Sequence, residues 1–190
     1  MDTIKDRITW LQGEDKKYSK LYSSGYPHGG PMGLVTVFDI PKEKKCIDLG
    51  CGLGELSKHF TDYTGVDVSS WVIGSNKQRK INGTYYHASL DNLTCINKNQ
   101  YDVGICSDVM EHIPEEKVGV ILKSISLLKV GTFYFDIALL PSSNVDEEGK
   151  NLHLTLWKQE RWVEELKKYF KLKEGKICEG SLRVSCTLKQ

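Results

Sequence analysis

Three glycines at alternate positions, Gly50, Gly52 and Gly54, follow Asp48 and a short apolar run; thirteen residues after the last of them a second apolar run ends in Asp67. Glycine, having no Cβ, lets backbone N–H groups approach a bound molecule. A carboxylate closing the next strand stands where it can accept both hydroxyls of a ribose. The chemistry served by this spacing is nucleoside binding. A dinucleotide loop reads G-x-G-x-x-G/A, whereas here Glu55 fills the sixth place, where a pyrophosphate would meet a like charge. No G-x-x-x-x-G-K-[ST] phosphate loop occurs in the chain. A nucleoside without phosphates is the ligand that this loop fits.

Placing these residues requires strands and helices in alternation. Apolar runs predict strands at 45–49, 64–67, 85–87, 103–107 and 132–137, with helical segments near 55–60, 70–80 and 115–128 between them. That alternation implies right-handed crossovers and a parallel sheet. Ahead of it, 3–12 and 14–23 read as two short helices, and the Gly- and Pro-rich residues 25–33 as a loop. Behind it, a helix near 158–169 presents Trp162, Val163, Leu166 and Phe170 on one face, then a hairpin turns at Glu179-Gly180-Ser181. A chain of 190 residues suits one domain, divided into an N-terminal helical leader (1–40) and an α/β core (41–190).

Asp48-Leu49-Gly50-Cys51-Gly52-Leu53-Gly54 resembles motif I of the class I S-adenosylmethionine-dependent methyltransferases, and Asp67 matches that family's ribose-binding acid. The stretch Tyr101 to Pro114 resembles the family's fourth strand and the loop after it, so three blocks stand in family order over roughly 45–137. More loosely, Asp136 to Trp162 is similar to a subgroup found in phage genomes and sugar-modification gene clusters. The resemblance implies a Rossmann-like α/β fold: a mostly parallel seven-stranded sheet with one antiparallel strand and helices on both faces. It also implies S-adenosyl-L-methionine as cofactor and S-adenosyl-L-homocysteine as product. In that reading Gly50, Cys51, Gly52 and Gly54 cradle the cofactor, and Asp48 orients the loop and meets the methionine amino group. Asp67 and Val68 flank the ribose, while Ser89 and Leu90 border the adenine, Ser89 standing where the family commonly has Asp. Ser107, Asp108 and His112 line the cofactor side after the fourth strand.

A sulfonium carries an already activated methyl group, so the protein must align an acceptor atom and exclude water. A base is needed only where the acceptor loses a proton, and histidine suits that work near neutrality. His153 is the first candidate, on the loop after the fifth strand, and His28 the second, in the Gly- and Pro-rich loop. Residues 1–33, with Trp10, Tyr18, Tyr22 and Tyr26, are expected to form a mobile lid.

The acceptor is narrowed by what is missing. The Asp/Asn-Pro-Pro-aromatic element of amino-methylating DNA enzymes is replaced by Ser107-Asp108-Val109-Met110, and no Pro precedes Cys106 as the cytosine C5 nucleophile requires. A net charge of +1 predicts no strong nucleic-acid field. Double-stranded DNA is therefore not the expected partner; a small molecule or sugar, methylated on oxygen, is. RNA or protein acceptors stand as alternatives, as do a catalytically silent binding or scaffold domain and a nicotinamide enzyme. The six cysteines contain no C-x-x-C pair, so reduced packed thiols are expected and no metal centre. No apolar stretch approaches the ~20 residues of a membrane span and Met1–Arg7 lacks a signal-peptide core, which makes the cytoplasm the expected location.

Overall fold

The structure, a computed structural model, describes residues 4–26, 31–96, 101–178 and 180–189. Among these, seven strands build one sheet: β1 (Lys45–Leu49), β2 (Asp62–Asp67), β3 (Thr84–His87), β4 (Val103–Ser107), β5 (Thr132–Ala138), β6 (Phe170–Cys178) and β7 (Ser181–Leu188). Their order is β3-β2-β1-β4-β5-β7-β6; the first five are parallel and β7 runs antiparallel between β5 and β6. The chain leaves β1 toward β2 and returns through β4 on the other side. That reversal opens a crevice beyond the strand ends, where sheets of this kind hold ligands.

Side chains alternate across the sheet, so each strand feeds two cores. On one face Cys46, Tyr63, Val103 and Ile105 pack with Leu34, Val35, Leu56, Phe60 and Ile73. These come from α2 (Met32–Phe38), a 3-10 turn at Glu55–Lys58 with Phe60 just after it, and α3 (Ser70–Gln78). On the other face Ile47, Leu49, Cys106, Phe133 and Phe135 meet α4 (Glu115–Ser126) and α5 (Gln159–Tyr169), through Val118, Ile121, Trp162 and Leu166. Trp162 has no exposed surface and lies 4.7 Å from the Trp157 ring, the kind of burial worth ~1.5–3 kcal/mol per large side chain.

The strand and core-helix expectations hold to within a few residues. The leader differs: 3–12 and 14–23 are not two helices but one, α1 (Ile4–Ser23), running through Gly13. Docking accounts for its continuity. Asp15 accepts from the Ser70 amide and hydroxyl at 2.8 and 2.9 Å, and Arg7 pairs with Asp91 at 2.8 Å. Together they outweigh the ~1 kcal/mol that an internal glycine costs. Residues 32–38, within and beyond the expected loop, form α2, which buries Leu34 and Val35. The hairpin is longer than expected, β6 running to Cys178; Glu179, part of the expected turn, lies outside the described residues.

Candidate active site

The carboxyl ends of β1, β2 and β4 and the inner side of α1 enclose a cavity with about 1060 Å³ of empty space, solvent at its mouth included. Asp48, Gly50, Cys51, Gly52, Asp67 and Val68 line it from the first two strands. Ser89 and Leu90, then Ser107, Asp108 and His112, complete the wall, and α1 contributes Trp10, Glu14, Tyr18 and Tyr22. The structure thus brings eleven of the twelve expected cofactor residues into one cavity.

Gly54 is the exception. It does not line the cavity; its φ of +74° starts the 3-10 turn, and a Cβ there would lie 2.6 Å from the Tyr85 hydroxyl. The glycine serves helix entry and packing rather than the ligand. Gly50, at φ +86°, would push a Cβ to 2.4 Å from Val109 Cγ2, and a Cβ on Gly52 would meet the Tyr22 hydroxyl at 2.8 Å.

The two acids divide their work differently from the sequence expectation. Asp48 does not hold the glycine loop: its Oδ2 accepts from the Tyr63 hydroxyl at 2.6 Å. Asp67 does hold it, Oδ2 accepting from the Gly52 amide at 3.0 Å while Oδ1 accepts from the Ser69 amide at 2.8 Å. The Gly50 and Cys51 amides donate to Val66 O at 2.8 and 3.0 Å. The reason is register. Asp48 lies beside Gly65 inside the β1–β2 ladder, whereas Asp67 closes β2 next to the loop. Burial raises Asp67's pKa against the opposing amides of Ser69 and Gly52, and pushes Asp48 up to about 7 although the Tyr63 hydroxyl favours the charged form.

Asn76, buried on α3, donates from Nδ2 to Gly52 O at 2.9 Å and locks the loop from outside. Sequence reading missed it; the signal was a polar residue within the buried stripe Val72, Ile73, Asn76.

A second constellation lies beyond β4 and β5. Asp108 adopts φ +54°, a conformation that Asp tolerates better than most residues. Its amide donates to Asp136 O at 2.9 Å, and Ser107 Oγ donates to its carboxylate at 3.1 Å. Burial, then the neighbouring Asp136, raises its pKa. Glu111 is fully buried; Oε1 accepts from the Ala138 amide at 3.1 Å, and Oε2 makes no hydrogen bond. Burial and Asp108 push its carboxyl up to about 8. His112 is buried with Nδ1 unpartnered, and burial, then His153, pulls its pKa down to about 3.

His153 stands against His112, ring centroids 4.8 Å apart, with Nδ1 2.6 Å from Leu140 O. It does not itself line the cavity, and the bond to Leu140 also pins its loop. Glu111 went unchosen in the sequence because a buried acid two positions before Ile113-Pro114 has no pattern of its own. His28, the other expected base, lies outside the described residues.

Comparison with known proteins bears on the family and the fold of the chain. The family described as "Methyltransferase domain" matches residues 33–176. The curated ubiquinone biosynthesis O-methyltransferase of Psychrobacter arcticus is 27% identical over 119 residues, 57% of this chain and 43% of that protein. Its namesake from Haemophilus ducreyi is 33% identical over 98 residues, 45% of this chain and 41% of that protein. The matched region thus spans about two fifths of the length of these curated relatives. Among solved structures, the Burkholderia thailandensis 1,6-didemethyltoxoflavin-N1-methyltransferase, with its substrate and S-adenosylhomocysteine bound, superposes with TM-score 0.71 at 12% identity, covering 100% of this chain and 92% of that one. The magnesium protoporphyrin IX methyltransferase of Synechocystis with bound SAH gives 0.69 at 15% identity, covering 97% and 100%. These likenesses show the fold.

Proposed function

The chain belongs to the methyltransferase-domain family, and from that premise we propose that it binds S-adenosyl-L-methionine and transfers its methyl group to an oxygen of a small-molecule or sugar acceptor. The observation that carries the reading is Asp67: a buried carboxylate on the cavity wall, both oxygens fixed by amides and each retaining a lone pair for a ribose hydroxyl. The cavity also offers a slot of Val68, Ala88 and Leu90 for the adenine. Asp48, two positions before Gly50, supplies the negative charge that a methionine amino group needs.

When bound, the cofactor supplies an electrophilic methyl group on a positively charged sulfur. The protein's contribution is then largely geometric. The glycine loop and Asp67 hold the nucleoside end, α1 screens the site from water with Trp10, Tyr18 and Tyr22, and Asp108 and His112 face the space left for the acceptor. Such a cofactor would supply the methyl group to the acceptor oxygen and be left as a neutral thioether, the hydroxyl proton passing to water.

Two observations support a small O-acceptor. The curated relatives are O-methyltransferases by name, and the cavity lies beneath a helix, which suits a molecule small enough to enter under it. Among the described residues no helix is long and apolar enough to cross a membrane. The leader enters this reading as a lid whose aromatic side closes the cavity.

Calorimetric titration of the purified chain with S-adenosyl-L-methionine, with NAD as a control, tests the cofactor. Binding of the first alone is the expected result, and failure of a folded sample to bind it would overturn the proposal.

A further inference from the structure

The geometry points to a divalent first-row metal ion, of the zinc, iron or manganese class, held beside the cavity by Glu111, His112 and His153. One donor atom from each lies within 4.8 Å of the others. Each side chain, moreover, has one polar atom anchored and one available. Glu111 Oε1 is held by the Ala138 amide while Oε2 makes no hydrogen bond. His153 Nδ1 is engaged by Leu140 O, which fixes the tautomer with Nδ1 protonated and Nε2 carrying the lone pair. His112 makes a backbone hydrogen bond to Leu152 and leaves Nδ1 unpartnered in a buried position. Imidazoles whose second nitrogen is pinned by a carbonyl, beside an anchored carboxylate, form the arrangement by which proteins orient metal ligands.

The donor set selects the ion. Two neutral imidazoles and one carboxylate suit zinc, iron and related cations better than magnesium or calcium, which prefer all-oxygen shells. Ligand atoms at ~2.1 Å from a tetrahedral ion stand ~3.4 Å apart, so a separation of up to 4.8 Å asks the side chains to draw together by about 1.4 Å when the ion binds. Three protein ligands leave further positions open, and His112 lines the cavity, so an ion bound there would border the space proposed for the acceptor. An acceptor hydroxyl coordinated there would release its proton to water more readily and present an oxyanion to the methyl group. This last role rests on the proposed methyl transfer, whereas the metal site itself does not. The buried, unpartnered atoms of Glu111 and His112 distinguish the cluster from an ordinary surface group of acids and histidines.

The test uses the full chain, freed of metal with a chelator and titrated separately with Zn²⁺ and Mn²⁺ by calorimetry, and with Co²⁺ by visible absorption. Saturable binding of one equivalent is expected, with cobalt bands characteristic of nitrogen ligation. His153→Ala, at a partly exposed position that should not impair folding, is expected to weaken binding at least about tenfold, and Glu111→Gln likewise. Asp67→Ala should leave metal binding unchanged. Absence of stoichiometric binding by the folded chain, or equal binding by both ligand variants, would overturn the site. Titration of the same sample with S-adenosyl-L-methionine separates the two proposals: cofactor binding without metal binding removes only the metal, and the converse removes only the methyltransferase reading.

Discussion

The two halves of the cavity wall differ in how their buried carboxylates are satisfied. Around β1 and β2, Asp67 has both oxygens on amides and Asp48 is held by Tyr63, so the acids are structural members of the wall before any ligand arrives. Beyond β4 and β5, Glu111 keeps one oxygen and His112 one nitrogen without a partner, although both are buried. Leaving a buried polar atom unpaired costs ~1–3 kcal/mol, an expense that a fold sustains where something else completes the bond. The contrast teaches a division of labour. The first half is a pre-built wall and the second keeps open polar atoms; in the proposed function the first seats the cofactor and the second faces the acceptor.

The sharpest way to break this contrast is to disorder the rigid half. Gly50→Val places a branched residue at φ +86° and within 2.4 Å of Val109, so it strains backbone and packing together. Loss of S-adenosyl-L-methionine binding by about a hundredfold, or ~2.7 kcal/mol, is expected, since backbone strain of ~1–3 kcal/mol adds to the displacement of Val109. Normal affinity in a variant that keeps its circular dichroism would show that the loop is only a turn. Asp67→Ala ranks next. Removing one charge-assisted contact should weaken the cofactor about ten- to a hundredfold. Because the Gly52 and Ser69 amides are released too, the variant's melting temperature should also fall, which a ribose contact alone would not cause.

Asp48 provides a smaller, pH-dependent effect. Its carboxyl titrates at about 7 in the folded chain, against 3.8 for an open one, because burial disfavours the charge. Between those values the folded state holds a proton that the unfolded state has lost, so this group's contribution to stability falls as pH rises from about 4 to about 7. Asp48→Asn keeps an acceptor for Tyr63 and should flatten that slope in thermal melts. Cofactor affinity should move the other way in the wild type, strengthening from about pH 6 to about pH 8 as the carboxylate becomes available to an ammonium group. An affinity that does not vary over that range would detach Asp48 from the methionine end.

The rigid half was the legible half. Its glycines and acids are local signals, read from a strand end and a spacing, and Asp67 stood where the ribose acid was expected. What escaped was set by register and tertiary packing. That Asp67 rather than Asp48 holds the loop turns on the β1–β2 ladder, and Asn76 reaches Gly52 from a separate helix. Gly54 resembles its neighbours in sequence, yet Tyr85 rather than a ligand occupies its open side. The unsaturated half was legible only residue by residue. The sequence offers His153 as a candidate and gives no signal for Glu111, because the contact between a 3-10 turn at 110–112 and a segment some forty residues later is a long-range fact, fastened by the Leu154 and Thr155 amides on Glu111 O at 2.8 and 2.9 Å.

The smallest expected effect probes where the halves meet, at Tyr18. This α1 residue lines the cavity, sets its ring edge-on to His112 at 6.0 Å, and buries a hydroxyl that has no partner. If the cavity is complete without a ligand, Tyr18→Phe should change nothing but stability, raising the melting temperature slightly because an unsatisfied hydroxyl is removed. If the hydroxyl is held in reserve for a ligand, the same stabilising change should weaken either cofactor or acceptor, by about three- to tenfold for one neutral hydrogen bond of ~0.5–1.5 kcal/mol. Stability and affinity would then move in opposite directions, a signature that loss of packing does not produce, since the aromatic ring remains. Measuring both quantities for the one variant assigns Tyr18: a gain in melting temperature with unchanged binding places it with the rigid wall, and a gain paired with weaker binding places it with the unsaturated surface around His112.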